Sequence, residues 1–173
     1  MSGFLFHPDG RADWARLTPF GIIAACVGAL ATAYTAQYGF GVEPCVLCLY
    51  QRIPYAVAGV LALAAILMPR GRGRKAMLTL CLPVFLIGAG IAFYHSGVEQ
   101  HWWASVAGCG GSLTPVISAA DLLSGLLAPP PKACDEVDWT LFGLSMTVYN
   151  TMVFLGLTLV TAYGIKRMRP KSY

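Results

Sequence analysis

AMLTLCLPVFLIGAGIAFY, residues 76–94, carries no charged side chain. A helix rises by about 1.5 Å per residue, so a stretch of this length nearly crosses a hydrocarbon core of about 30 Å. It cannot cross as an open strand, because each unpaired backbone group in lipid costs several kcal/mol. Immediately before it stands RGRGRK, residues 70–75, a basic cluster that belongs in water or among lipid headgroups. Working outward, three further apolar stretches of similar length run over about 17–37, 49–68 and 145–165. Composition agrees: of 173 residues 57% are hydrophobic and only 12% charged, against about 25% charged in soluble domains. The expectation is one all-α integral membrane domain over 1–173, a bundle of four transmembrane helices with spans at about 17–37, 49–68, 76–94 and 145–165. Pro54 and Pro83 within these spans read as local kinks or helix-start residues.

The basic residues set the orientation. Arg11 and Arg16 precede the first span, Arg70, Arg72, Arg74 and Lys75 separate the second from the third, and Lys166, Arg167, Arg169 and Lys171 close the fourth. These are ten of the twelve Lys and Arg residues, and only Arg52 and Lys132 remain. By the positive-inside rule both termini are cytoplasmic, and the loops at about 38–48 and 95–144 face the other side. The net charge of +4 thus belongs to membrane topology and gives no sign of a nucleic-acid partner. Ala29 to Ala33, ALATA, resembles a signal-peptidase site, but the apolar run continues past it and Asp9 and Asp13 dilute the basic start. The first span therefore reads as an uncleaved anchor.

Six cysteines sort by this topology. Cys26 and Cys81 fall within spans and read as small apolar core residues. Cys45, Cys48, Cys109 and Cys134 fall in the two outer loops, where an oxidising compartment favours pairing. They suit static staples, a four-thiolate zinc site, or two exchangeable disulfides. A loop as small as CxxC leaves little chain entropy to remove, which disfavours a staple. Zinc sites bring their ligands in tight pairs, which Cys109 and Cys134 are not. Spacing favours exchange without closing the other two readings.

The surroundings of the CxxC point the same way. Residues 43–52 read EPCVLCLYQR, with the second span starting almost at once. Cys48 is expected near a helix N-terminus, where unpaired N–H groups and the dipole stabilise a thiolate. Arg52 lies one helical turn beyond Cys48 and is costly at a membrane edge unless it serves a purpose. It reads as a cation beside that thiolate and beside a polar ligand; as a bare residue it would snorkel to the headgroups.

This combination resembles the disulfide bond formation protein B (DsbB) family of bacterial inner membranes. The resemblance rests on four spans, basic cytoplasmic ends, CVLC followed by LYQR, two separated cysteines in the second outer loop, and CDEVDWTLFGLSM, residues 134–146, leading into the last span. It implies redox disulfides Cys45–Cys48 and Cys109–Cys134, a membrane quinone (ubiquinone or menaquinone) as electron acceptor, and a periplasmic DsbA-like thioredoxin-fold oxidase as partner. It implies no metal. It places Arg52 at the quinone site and His95, at the outer end of the third span, near it. Gln51 stands where some members have an acid, so no carboxylate role carries over there. The implied relay passes electrons from the partner to Cys109–Cys134, on to Cys45–Cys48, and then to the quinone.

The second outer loop holds PVISAADLLSGLL, residues 115–127, too short to span and apolar on one helical side. It reads as an interfacial helix or a lid over the loop, followed by the extended spacer PPPK, residues 129–132. Trp102, Trp103 and Trp139 suit interfacial anchoring. Two rival classes are a membrane interaction protein with static outer disulfides and a related substrate-dedicated transmembrane oxidase. Among the latter, proteins resembling vitamin K epoxide reductase carry their CxxC late in the chain, whereas here it comes early.

Overall fold

Each long apolar stretch forms a helix. The structure, a computed structural model, describes residues 12–104, 132–137 and 139–168. Helix α1 covers Trp14–Tyr34 and runs into a π-helical turn at Thr35–Gly39. Helix α2 covers Val46–Leu67, α3 covers Arg72–Glu99 and α4 covers Met146–Arg167. All four are long and apolar enough to cross a membrane, and the protein is a multi-pass, all-α membrane protein. The segment 115–127 and Cys109 lie outside the described residues.

Two strands of two residues each, β1 at Thr140–Leu141 and β2 at Leu144–Ser145, pair antiparallel just before α4. The two residues between them, Phe142 and Gly143, have φ of 51° and 79°. Positive φ at both central positions is the hairpin geometry that matches strand twist. The Tyr149 hydroxyl donates to the Leu141 carbonyl at 2.8 Å, tying the hairpin to the first turn of α4.

The connection from α2 to α3 is short and turns at Gly71, whose φ of 155° favours glycine. Arg74 folds back over this turn. Its Nε donates to the Ala65 carbonyl at 2.8 Å, and its Nη2 donates to Ile66 and Met68 at 3.0 and 2.8 Å. Its Nη1 donates to the Ala15 carbonyl at 3.2 Å. One guanidinium thereby satisfies carbonyls at the end of α2 that have no partner within the helix and adds one from α1. Asp13, at the start of α1, bonds to Arg70 at 3.0 Å and lies 3.6 Å from Arg16.

Contacts between helices run from α1 to α2, α2 to α3, α3 to α4 and α4 back to α1, so the four form a ring. The core is built from small residues at helical spacing, Ala58, Ala62 and Ala65 on α2 facing Leu78, Cys81, Phe85, Ala89 and Ala92 on α3. Small side chains let backbones approach, which is how helices associate where lipid is as apolar as leucine. Cys26 and Cys81 are both buried in this core as free thiols. The outward faces stay apolar, with Val60 67% and Leu159 71% exposed to what is lipid in the native setting.

Phe154 of α4 fills the centre. Its ring stacks on Tyr55 at 4.3 Å between centroids and meets Phe85 at 6.4 Å. Gly88 makes room for it, since a Cβ there would sit 2.6 Å from the ring. Gly88→Ala should therefore lower stability by about 1–3 kcal/mol, the usual cost of overpacking. The check is a lower thermal midpoint in detergent, with Gly90→Ala unchanged because nothing lies within 4 Å of its added Cβ.

Candidate functional site

At the end of the bundle opposite the Arg74 turn, the start of α2 meets the end of α3, the start of α4 and the segment around Cys134. Helix α2 begins at Val46, which makes Cys45 its N-cap. The side chain of Cys45 replaces the usual serine or aspartate: its Sγ accepts from the Cys48 N–H at 3.3 Å. The Cys48 thiol also donates to the Cys45 Sγ at 3.0 Å. The helix terminus and the hydrogen bonds thus act on Cys45, whereas the sequence reading expected them at Cys48. As a result the Cys45 thiol falls from 9.0 to about 4, chiefly through the Cys48 thiol, with burial opposing and His95 assisting.

His95, on α3, is only 2% exposed. Its Nε2 lies 3.5 Å from the Cys45 Sγ and 3.9 Å from Oε1 of Glu99 one turn later. Its Nδ1 accepts from the Gln51 amide nitrogen at 2.8 Å. Gln51 Oε1 accepts in turn from the Asn150 amide of α4, and Asn150 Oδ1 accepts from the Tyr55 hydroxyl at 2.5 Å. Below this chain, Thr147 donates to Glu99 Oε2 at 2.5 Å, and Ser96 donates to Thr147 at 3.0 Å. Gln51, Asn150, Tyr55, Glu99 and Thr147 were not predicted as site residues. A polar side chain inside an apolar span is expensive in lipid, and Asn150 in particular could have been singled out on that ground.

Cys134 is fully buried and disulfide-bonded, with its partner outside the described residues. Sulfur atoms of Cys134 and Cys45 and a ring nitrogen of His95 all lie within 4.8 Å of one another. Such closeness would suit a soft metal ion, but a disulfide sulfur is not the thiolate a zinc ion needs. It equally suits thiol–disulfide exchange, which requires one sulfur to reach another. Leu47, Val98 and Tyr94 pack around the cysteines and shield them.

Arg52 turns the other way. Its Nη1 donates to Gln37 Oε1 at 2.6 Å, and its guanidinium lies 4.8 Å above the Tyr34 ring. Tyr34 ends α1, and Gln37 lies in the π-helical turn that follows it. Beside it on α2, Leu49, Tyr50 and Ile53 are exposed, so a half-buried cation with donors to spare borders an apolar, lipid-facing surface. That chemistry fits the carbonyl head and hydrocarbon tail of a quinone.

The family described as Disulfide bond formation protein DsbB matches residues 15–164. The chain belongs to the DsbB family. Among curated relatives, a disulfide bond formation protein B of Xanthomonas campestris pv. campestris is 35% identical over 154 residues, covering 86% of this chain and 89% of the relative. One from Xylella fastidiosa is 34% identical over 152 residues, covering 84% and 87%. One from Hahella chejuensis is 32% identical over 151 residues, covering 85% and 90%. DsbB membership makes this a membrane disulfide bond formation protein, in keeping with its four apolar helices.

The cysteine geometry makes a prediction about protonation. In the reduced protein the Cys45 thiolate should persist at neutral pH and disappear only as pH falls through about 4. In Cys48→Ala the donor with the largest effect is gone, so the titration should move up towards the ordinary thiol range. Ultraviolet thiolate absorbance against pH measures both. An unchanged titration in Cys48→Ala would leave His95 and the helix terminus as the causes.

Proposed function

We propose that this chain is a thiol:quinone oxidoreductase of the bacterial inner membrane, with cytoplasmic termini and periplasmic redox loops. In this reading it re-oxidises a periplasmic DsbA-like thioredoxin-fold oxidase and passes the electrons through Cys109–Cys134 and Cys45–Cys48 to a membrane quinone. The observation that supports it most is the approach of the Cys134 sulfur to within 4.8 Å of Cys45, whose own sulfur lies 3.0 Å from that of Cys48.

The steps balance as successive exchanges. A thiolate of the partner attacks Cys109, and Cys134 leaves as a thiolate. Cys134 attacks Cys45, the sulfur it faces, and Cys48 leaves. The partner's second thiolate closes the partner's disulfide and releases Cys109, which attacks Cys134 and expels Cys45. A low-pKa thiol leaves faster, so the stabilised Cys45 thiolate suits this last step. The reduced Cys45–Cys48 pair then closes again, giving up two electrons. A bound quinone supplies the acceptor for those electrons, and Arg52 with its neighbours on α2 is the group that would hold it. His95 serves Cys45 as a hydrogen-bond partner.

Cys109→Ser or Cys134→Ser should stop oxidation of a reduced thioredoxin-fold partner while leaving Cys45–Cys48 open to re-oxidation by quinone. Normal partner oxidation in Cys109→Ser would refute the relay order. Arg52→Gln removes a charge-assisted hydrogen bond worth about 1.5–3 kcal/mol, so the quinone half-reaction should weaken by roughly 10- to 150-fold. Arg52→Lys should recover part of this, because it keeps the charge without the planar fork. Quinone reduction by the purified protein, with partner exchange followed separately, reads both effects.

A further inference from the structure

One hydrogen on His95 has two claimants. The amide chain is oriented so that Gln51 donates to Nδ1 of His95, which puts the single N–H of the neutral ring on Nε2. Gln51 is held in that orientation because its oxygen is already taken by Asn150, which is itself held by Tyr55. The Nε2–H faces the Cys45 sulfur at 3.5 Å and the Glu99 carboxylate at 3.9 Å, and it cannot serve both. Glu99 has a side chain only 6% exposed, and its other oxygen depends on the Thr147 hydroxyl.

We propose that Glu99 holds the second proton of the Cys45–Cys48 couple, ionised while the pair is a disulfide and protonated once Cys45 becomes a thiolate. While the disulfide stands, the Cys45 sulfur is neutral and the Nε2–H is left to Glu99. On reduction the Cys45 thiolate takes the Nε2–H. Glu99 is then a second buried anion in the same site, left with the Thr147 hydroxyl as its donor, and two like charges so placed each disfavour the other's ionised form. The balanced step is a disulfide plus two electrons and two protons, giving the Cys45 thiolate, the Cys48 thiol and the Glu99 carboxylic acid. Re-forming the disulfide returns both electrons and both protons, which is what reduction of a quinone to a quinol consumes. The inference rests on the proposed reading of Cys45–Cys48 as a redox-active pair, whatever accepts its electrons.

Among the described residues, the groups that titrate around Glu99 are few. His95 lies on its own helix, Cys48 faces it from the start of α2, and Cys45 reaches it through His95. Helix α4 presents the hydroxyl of Thr147, backed by Ser145 at 2.8 Å. The segment before it brings disulfide-bonded Cys134, with Asp135 and His101 bordering the adjacent recess.

The test equilibrates the full-length protein with dithiothreitol between about pH 5 and 8, above the titration of Cys45 and below that of an ordinary thiol near 8.5. The state of Cys45–Cys48 is read by alkylation and mass spectrometry. Two protons leave the dithiol, and in the wild type two are taken up, so the equilibrium constant should be independent of pH. In Glu99→Gln only Cys48 takes one up, so the constant should rise tenfold per pH unit in favour of the reduced pair. A redox difference infrared spectrum should show a carboxylic acid band appearing on reduction of the wild type and missing in Glu99→Gln. A wild-type constant that already rises tenfold per pH unit, or no carboxylic acid band, overturns the proposal even if the variant does not fold. A pair that never equilibrates with the dithiol overturns the redox reading itself, and a flat constant with failed quinone reduction overturns only the quinone assignment.

Discussion

A helix that ends at the edge of hydrocarbon needs its terminal backbone groups satisfied without relying on water, and α2 meets this demand at both ends with unusual groups. At one end Arg74 reaches back from α3 to the carbonyls of Ala65, Ile66 and Met68 and takes a further carbonyl from α1. At the other the cap is the sulfur of Cys45. The same requirement that makes a helix stable in lipid thus delivers a cysteine with a stabilised anion. Register follows from it: with Cys45 at the cap, Cys48, Gln51, Arg52 and Tyr55 point where the helix sends them. Cys48 turns back to Cys45, Gln51 and Tyr55 face inward, and Arg52 turns to α1.

Polar groups can line the interior because the rest of it is so small-grained. Ala58, Ala62, Ala89 and Ala92 bring the helices close, and the aromatic centre of Tyr55, Phe85 and Phe154 occupies what remains. Tyr55 belongs to both layers, its ring stacked on Phe154 and its hydroxyl bonded to Asn150. The hydrogen-bonded chain through Asn150 and Gln51 to His95 therefore joins α2, α3 and α4 from a packed base. A buried network of this kind is rigid only when each member has its partner. Among the described residues the single buried side-chain polar atom without one is the Thr161 hydroxyl, on α4.

Much of this was legible in the sequence, and the rest was not for physical reasons. Apolar runs of about 20 residues, with Arg52 the single charge among them, announce membrane helices, since a helix satisfies its own backbone in lipid and an open strand does not. The two inner cysteines read correctly as core. The start of α2 did not, because cysteine is not among the usual cap residues and the apolar run was taken to begin at Leu49. Three residues of difference moved the stabilised thiolate from Cys48 to Cys45. Arg74 was counted only as a positive charge, because its role depends on a chain reversal at Gly71. Gln51, His95, Glu99 and Asn150 lie on three helices, and a single sequence carries no register between helices. The hairpin at Thr140–Ser145 is too short for alternation to be visible, and Phe-Gly is not a common turn signature.

The grip of Tyr34 and Gln37 on Arg52 has a consequence for the cost of keeping a cation at the start of α2. The guanidinium is already engaged by Gln37 at 2.6 Å and by the Tyr34 ring. One donor and one face of the cation are thus satisfied from within the protein, without a water molecule having to enter. The cation is therefore not stranded beside hydrocarbon, and its remaining donors are held in place at the start of α2.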